Sequence, residues 1–238
     1  MSGVAVRGCV VEARSQRIDG VPGLGPDSTC STLVLLLAIV RFNRLDLIRL
    51  GDGNQGRERT LRSRAVIFHG TGANPGVAWY PWLAKRLADR GFEVEVPHYP
   101  ELNVEPVAEF LPRVLAAHTF DAHTVLVGHS GGAALLLALL EQARVDQAFL
   151  VAGYCTRPNT AQEPVLKREY DWDAIRTNAR ALYFINSVRD PYGCDDRQGR
   201  AMFERLGGTH IVRDDGHFGD YGQDYNDFPL LDRLIETP

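Results

Sequence analysis

The residues best suited to chemistry lie in one short glycine-bracketed segment, Gly128-His129-Ser130-Gly131-Gly132. Four apolar strand-forming residues precede this G-x-S-x-G pattern, and an Ala- and Leu-rich helix-forming run follows it. That layout is typical of a nucleophile elbow, in which small neighbours let the serine adopt a strained backbone conformation. We therefore predict that Ser130 is a nucleophile. The alternative is an ordinary glycine-rich turn, or one that cradles a phosphate.

A serine hydroxyl is a weak nucleophile at neutral pH, so it needs an adjacent base that is oriented by an acid. Two histidines follow Ser130 in the chain. His210 lies within a strand-like run, whereas His217 lies in a glycine-flanked loop just after the last predicted strand. Because the base of such a triad comes last in chain order, the sequence favours His217 as general base.

The candidate acid is Asp190, which directly follows the predicted strand 181–185. Pro191 fixes the turn after it, so that the carboxylate can point back toward the edge of the sheet. The competing carboxylates either begin the next helix or share the loop of the histidine: Asp195, Asp196, Asp214 and Asp215. We predict that Asp190 orients His217.

An acyl-transfer site also needs backbone N–H groups that bind the developing oxyanion. The amide of Gly131 directly follows the nucleophile and opens a helix, whose N-terminus favours negative charge. A second donor is expected from the loop after the first predicted strand, His69-Gly70-Thr71-Gly72. We predict Thr71 as this donor, with Gly72 as the alternative.

These loops are positioned by a regular alternation of apolar runs and amphipathic segments from Arg64 onward. Strands that are apolar throughout and separated by helices indicate a parallel sheet covered on both faces, which right-handed crossovers make doubly wound. The predicted strands are 65–68, 92–96, 124–127, 148–152, 181–185 and 210–212. The predicted helices are 77–90, 104–117, 131–143, 172–178, 196–206 and 228–236. The fold class is therefore α/β.

Residues 1–61 differ from this pattern, because they contain two Gly- and Pro-rich stretches and no clear hydrophobic period. We predict a poorly structured N-terminal extension over residues 1–61 and one α/β domain over residues 62–238. A wrongly assigned start site upstream of the true first codon is the alternative for the extension.

Composition excludes several other classes of protein. The formal charge of −4 gives no reason to expect a nucleic-acid partner, and 45% hydrophobic residues suit a soluble globular chain. The longest apolar run, Leu33 to Val40, is far shorter than the roughly 20 residues that span a bilayer. Four cysteines without ligand spacing indicate free thiols in a reducing compartment. We therefore predict a cytoplasmic protein without a membrane partner.

Metal binding is not expected either. His69, His129 and His217 are the histidines that could be mistaken for ligands, but no pair has the i, i+4 spacing of a helical zinc site. We predict no metal site.

Taken together, these motifs resemble the family of small serine hydrolases that includes retinoblastoma-binding protein 9 and its bacterial YdeN-like relatives. The resemblance covers roughly residues 64–238. It depends on the H-G-x-G loop followed by Trp79, Tyr80 and Trp82, on the G-H-S-x-G elbow, on an S-x-x-D-P-Y acid loop, and on G-H-F at 216–218.

The resemblance implies a compact α/β-hydrolase fold with a minimal cap or none, no cofactor, and a triad of Ser130, Asp190 and His217. Family members look like carboxylic-ester hydrolases. The connection from Gly153 to Trp172 stands where larger relatives insert a lid, and its shortness predicts small to medium acyl groups. We expect the substrate pocket to be bordered by His69, His129, Tyr154 and Trp172, although Tyr154 and Trp172 could instead buttress the loop.

The sequence thus predicts a serine hydrolase that acts on a small-molecule ester through an acyl-enzyme. Two alternatives stay open. One is a non-catalytic protein-binding module on a hydrolase scaffold. The other is an amidase or thioesterase, because the same triad serves all of these reactions.

Overall fold

The computed structural model describes residues 63–219 and 224–237; the predicted extension over residues 1–61 lies outside this part of the chain. Strands and helices alternate along it, which confirms the predicted α/β class. The strands are β1 (Arg64–Phe68), β2 (Glu93–Glu95), β3 (Thr124–His129), β4 (Val145–Val151), β5 (Ala179–Ser187) and β6 (Thr209–Arg213). The helices are α1 (Tyr80–Asp89), α2 (Val107–Ala117), α3 (Gly131–Leu140), α4 (Trp172–Asn178), α5 (Asp196–Leu206) and α6 (Pro229–Leu234).

All six strands form one parallel sheet in the order β2-β1-β3-β4-β5-β6. The register aligns the carboxyl ends of neighbouring strands: Phe68 pairs with Gly128, and Ser187 pairs with Arg213. As a result, the loops that follow β1, β3, β5 and β6 leave the sheet at one edge. The candidate triad and oxyanion residues lie at these four loops, whereas Tyr154 and Trp172 follow β4.

Two groups of helices cover the two faces of the sheet. Helix α1 contacts α6, whereas α2, α3, α4 and α5 contact one another in succession. Every residue of α3 is buried, which explains why this helix is apolar on all sides rather than amphipathic. Among residues 63–219 and 224–237, no helix combines the length and the apolar composition that crossing a bilayer requires.

Strand β4 begins at Val145, three residues before the predicted start at 148. The polar residues Asp146 and Gln147 hid this part of the strand from the hydrophobic pattern. Both are buried, and Gln147 is satisfied by hydrogen bonds to Asp146 Oδ2 and to the carbonyl of Glu236. Buried polar groups paired in this way are compatible with a strand in the middle of a sheet.

Between β4 and α4, residues 153–171 contain neither a helix nor a strand. We call this stretch the cover segment. It is held by side-chain hydrogen bonds rather than by a backbone ladder, and its short length leaves no room for a separate cap domain.

Candidate active site

Ser130 occupies the strained turn between β3 and α3, with φ 55° and ψ −118°. A non-glycine residue rarely adopts a positive φ, and such strain persists only where the surroundings impose it. Here the surroundings are sterically full. A methyl group added to Gly132 would lie 2.5 Å from the carbonyl oxygens of Phe68 and His69, and one added to Gly128 would lie 2.6 Å from the carbonyl of Gly132. Only glycine therefore fits on either side of the serine.

His217 and Asp190 are joined by a hydrogen bond of 2.7 Å between Nδ1 and Oδ2. The two side chains are 8% and 0% exposed. Because an ionised carboxylate can only accept, Nδ1 carries the proton and donates it, which leaves the lone pair of the neutral imidazole on Nε2. This is the tautomer that a general base needs.

The carboxylate of Asp190 is itself fixed by its own loop. Its other oxygen, Oδ1, accepts hydrogen bonds from the backbone amides of Tyr192 (2.8 Å) and Cys194 (3.3 Å). The Tyr192 ring then packs edge-on against the His217 imidazole, with 4.7 Å between the ring centres. The acid and the base are therefore held by one compact turn.

Of the other candidate carboxylates, Asp196 lies in the first turn of α5, and the remaining three have partners of their own. Asp195 caps α5 by accepting a hydrogen bond from the amide of Arg197, as expected for an N-terminal cap. Asp214 pairs with the exposed Arg189, and Asp215 pairs with Arg213 and with the hydroxyl of Tyr225.

Ser130 and His217 line the same cavity, which has a volume of about 540 Å³. Thr71, Tyr80, His129 and Tyr154 also line it. The cavity is large enough for a small organic substrate. The structure thus brings the predicted nucleophile and the predicted base to one ligand-sized space.

Thr71 lies against the first turn of α3, where Gly131 begins the helix. A methyl group added to Gly131 would clash with Thr71 Oγ1 and lie 3.4 Å from its backbone nitrogen. The first N–H groups of a helix have no partner within the helix, so the amide of Gly131 can donate outward. Thr71 lines the cavity, whereas Gly72, with φ 69°, is not among the lining residues.

A hydrogen-bonded chain that the sequence analysis missed links three of these loops. The amide of Gly70 donates to the Tyr80 hydroxyl (3.2 Å), which bonds to His129 Nδ1 (2.6 Å), and His129 Nε2 bonds to the carbonyl of His217 (2.7 Å). Because that carbonyl can only accept, Nε2 carries the proton of His129 and Tyr80 donates to Nδ1.

His129 is 3% exposed, and burial lowers its pKa to about 3, with His217 acting in the same direction. It is therefore neutral at ordinary pH, as the hydrogen-bonded chain requires. His129, at the variable position of the G-x-S-x-G pattern, thus links Tyr80 to the carbonyl of His217. The sequence contains one signal for this role of His129, which is the presence of Tyr80 in the aromatic cluster of the family resemblance.

The four expected pocket residues separate into two pairs. His129 and Tyr154 line the cavity, whereas His69 and Trp172 are not among its lining residues. His69 is buried, and its two ring nitrogens bond to the carbonyl of Gly70 and the amide of Tyr99. Trp172 begins α4, where its ring packs on Tyr170 and beneath the guanidinium of Arg205.

The histidines considered as ligands in the sequence analysis use their ring nitrogens in hydrogen bonds. This holds for both nitrogens of His69 and of His129. One mixed group, Asp190, Cys194 and His217, has its potential ligand atoms within 4.8 Å of one another. Two of these atoms already share the acid–base hydrogen bond, and burial raises the pKa of the Cys194 thiol, which disfavours the thiolate that a metal needs.

Comparisons with known proteins identify the family to which the chain belongs. The sequence profile of the serine hydrolase family matches residues 65–236. YdeN from Bacillus subtilis is 26% identical over 170 residues, covering 66% of this chain and 90% of YdeN. Serine hydrolase RBBP9 from Rattus norvegicus is 25% identical over 163 residues, covering 66% of this chain and 87% of that protein.

Solved structures show the same architecture. The crystal structure of the ydeN gene product from B. subtilis has a TM-score of 0.65 at 23% identity, covering 72% of this chain and 96% of that chain. The esterase domain of a Rhodothermus marinus protein has a TM-score of 0.52 at 16% identity, covering 71% and 84%. These likenesses confirm the α/β-hydrolase fold. With the profile match over most of the chain, they place this protein in the serine hydrolase family, among relatives of YdeN and RBBP9.

Proposed function

We propose that this serine hydrolase cleaves carboxylic esters with small to medium acyl groups, with Ser130 as nucleophile, His217 as general base and Asp190 as the orienting acid. One observation carries the proposal. The base, already in the tautomer that general-base catalysis requires, faces the same cavity as a serine in a strained turn.

In the first step, Nε2 of His217 takes the hydroxyl proton of Ser130 while the serine oxygen bonds to the ester carbonyl carbon. The carbonyl π electrons move to its oxygen, and the amides of Gly131 and Thr71 bind the resulting oxyanion. When the tetrahedral intermediate collapses, the bond to the leaving oxygen breaks. Nε2 returns the proton to that oxygen, and an alcohol departs.

In the second step, a water molecule attacks the acyl group on Ser130. His217 removes the water's proton and later gives it to the serine oxygen, which restores the enzyme and releases a carboxylic acid. In both steps the imidazole becomes positively charged for a time. The side chain of Asp190 is fully buried and its Oδ2 lies 2.7 Å from Nδ1, so it stabilises that charge and prevents the ring from turning.

The size of the cavity and the absence of a cap domain over the described residues support small to medium acyl groups. Ester hydrolysis is preferred to amide or thioester hydrolysis because of the family resemblance. The triad itself would serve all three reactions. A cytoplasmic location and the lack of a nucleic-acid or membrane partner stay predictions.

The experiment is active-site labelling with a fluorophosphonate probe, followed by hydrolysis of p-nitrophenyl esters of increasing chain length. We expect the wild type to be labelled and to prefer short and medium chains. Ser130→Ala should abolish labelling and lower turnover by roughly 10⁴–10⁶, with the fold retained by circular dichroism.

Two further variants separate the roles. His217→Ala should lower turnover as much as Ser130→Ala does. Asp190→Asn should lower turnover by a similar factor or less, because it disturbs the histidine tautomer and leaves the nucleophile in place. Full labelling without turnover of any ester would favour the binding module. Failure of the probe to label a folded wild-type protein would refute the hydrolase mechanism.

A further inference from the structure

The cavity contains one acidic side chain that the proposed mechanism does not use. Glu163, on the cover segment, lines the same cavity as Ser130 and His217. No lysine or arginine is among the described residues that line it. A substrate bound there would therefore meet a carboxylate without a compensating basic group.

Glu163 is held in place by two neighbours. Its Oε2 accepts hydrogen bonds from the hydroxyl of Tyr154 and from Nδ2 of Asn103, the latter at 2.6 Å. Burial and the bond to Glu163 raise the pKa of the Tyr154 hydroxyl far above its usual range, so that tyrosine stays a donor. Both bonds end on Oε2, which leaves Oε1 for another partner.

Asn103 also ties this carboxylate to the candidate oxyanion site. Its Nδ2 donates to Thr71 Oγ1 (3.1 Å) as well as to Glu163, while its Oδ1 accepts from the amide of Val165 (3.1 Å). Asn103 adopts φ 61°, a conformation that asparagine tolerates better than most residues. Glu163 is therefore two hydrogen bonds from the loop that is proposed to bind the oxyanion.

Within the described chain, nothing neutralises this charge through an ion pair. Lys167, the basic residue nearest to it along the cover segment, pairs with Glu141, and Arg157 donates to the side chain of Gln162. Asp190, the other carboxylate beside the cavity, is paired with His217. An anionic ligand in this space would thus be repelled in surroundings that screen charge less well than water does.

We propose that Glu163 is a specificity-determining residue that excludes esters carrying a negative charge and selects neutral or cationic ones. This inference depends on the proposed ester hydrolysis. It concerns the substrate class and not the chemical step. The Coulomb repulsion between two carboxylates sharing such a cavity corresponds to roughly a tenfold loss in kcat/KM for the anionic ester.

The test compares two esters that differ in charge and hardly in shape. These are the p-nitrophenyl esters of 5-carbamoylpentanoic acid, which is neutral, and of adipic acid, which keeps one free carboxylate. If the acyl chain lies beside Glu163, kcat/KM of the wild type should be about ten times higher for the neutral ester. In Glu163→Gln the ratio should fall to about two or less, because glutamine keeps the acceptor for Tyr154 and Asn103 but carries no charge.

A second pair places the charge on the alcohol side: the butyrate esters of 4-hydroxybenzamide and 4-hydroxybenzoate. We expect at least one pair to show discrimination that Glu163→Gln removes. The ratio is the readout, because removing a charge beside the oxyanion site changes the rates of both esters. The matched control is Glu109→Gln, which removes an exposed carboxylate from α2 and should leave both ratios unchanged.

The wild type provides a measurement that does not depend on a variant folding. Glu163 is only partly buried, so added salt should screen its charge in part, and the neutral-to-anionic ratio should shrink as ionic strength rises. If Glu163→Gln keeps the wild-type ratio for both pairs while the neutral esters are cleaved, the specificity proposal is wrong and the hydrolase proposal stands. If the wild type is neither labelled by fluorophosphonate nor active on the neutral esters, both proposals fail.

Discussion

The elbow around Ser130 and the cover segment border the same cavity, but different forces hold them. The elbow is fixed by backbone packing, since any side chain at Gly132 would overlap the backbone of β1 and its loop. The cover segment has no helix or strand and is fixed by side-chain hydrogen bonds such as those of Glu163.

This difference indicates at which positions of the site the residue type can change. Steric constraints on the backbone admit few residue types, so the reaction machinery tolerates little change. Replacing one partner of a side-chain hydrogen bond lowers the free energy of unfolding by about 1–3 kcal/mol when the other partner is charged. We therefore expect the rate of the chemical step to depend on the elbow around Ser130, and the preference between substrates to depend on the cover segment.

The largest effect outside the triad is expected from Gly132→Ala. The added methyl group would lie 2.5 Å from two backbone oxygens, so β1 or α3 must move. Overpacking of this kind should lower the free energy of unfolding by about 3 kcal/mol or more, measured by urea denaturation. Fluorophosphonate labelling should fall with it.

The control is Gly76→Ala, in an exposed loop where the added methyl group would meet only the Asn74 side chain, at 3.2 Å. It should change the free energy of unfolding by less than about 1 kcal/mol. Equal losses in the two variants would show that the elbow is not under special steric constraint.

A smaller effect is expected from Tyr80→Phe, which cuts the hydrogen-bonded chain at its centre. The change leaves the amide of Gly70 and Nδ1 of His129 without the hydroxyl that both use. If His129 then changes tautomer, it no longer holds the carbonyl of His217. We expect kcat to fall about 10- to 100-fold with a smaller change in KM, since roughly 1–3 kcal/mol of positioning is lost.

Tyr183→Phe removes a hydroxyl from β5 on a ring that stacks on Phe149, and it should leave kcat unchanged. An unchanged kcat in Tyr80→Phe would mean that His129 does not help to position His217, whatever happens to stability.

The smallest effect is expected from Trp172→Phe. The indole packs on Tyr170 and Arg205 and not against the cavity, so KM for short esters should change by no more than about twofold. Tyr154→Phe, at a position that does line the cavity, should change KM more. A larger change in KM for Trp172→Phe than for Tyr154→Phe, measured with the same ester, would indicate that Trp172 contacts the substrate.

Much of the arrangement of the candidate site could be predicted from the sequence, because the constraint at each position is local. A strand, a glycine-bracketed serine and a helix follow one another directly around Ser130. Asp190 and His217 each come just after a strand, so a parallel sheet brings both to the same edge. Strand and helix positions were predicted to within a few residues for the same reason.

The remaining features depend on contacts between distant residues. The place of His129 depends on Tyr80 and on the carbonyl of His217, which lie 49 and 88 positions away. Trp172 looked like a pocket residue because it directly follows the cover segment, but as the first residue of α4 it packs its ring on Tyr170 and Arg205. Glu163 gave no signal, since a single acid in an irregular segment resembles any solvated residue.

One consequence concerns when the enzyme becomes reactive during its own synthesis. The carbonyls of two successive residues, His217 and Phe218, are anchored by His129 Nε2 and by Trp79 Nε1, the latter from 139 positions earlier in the chain. Closures over such spans are slow and come late in folding. We therefore expect a nascent chain to stay unreactive toward fluorophosphonate until the loop after β6 has docked. A chain clipped before His217 should never be labelled.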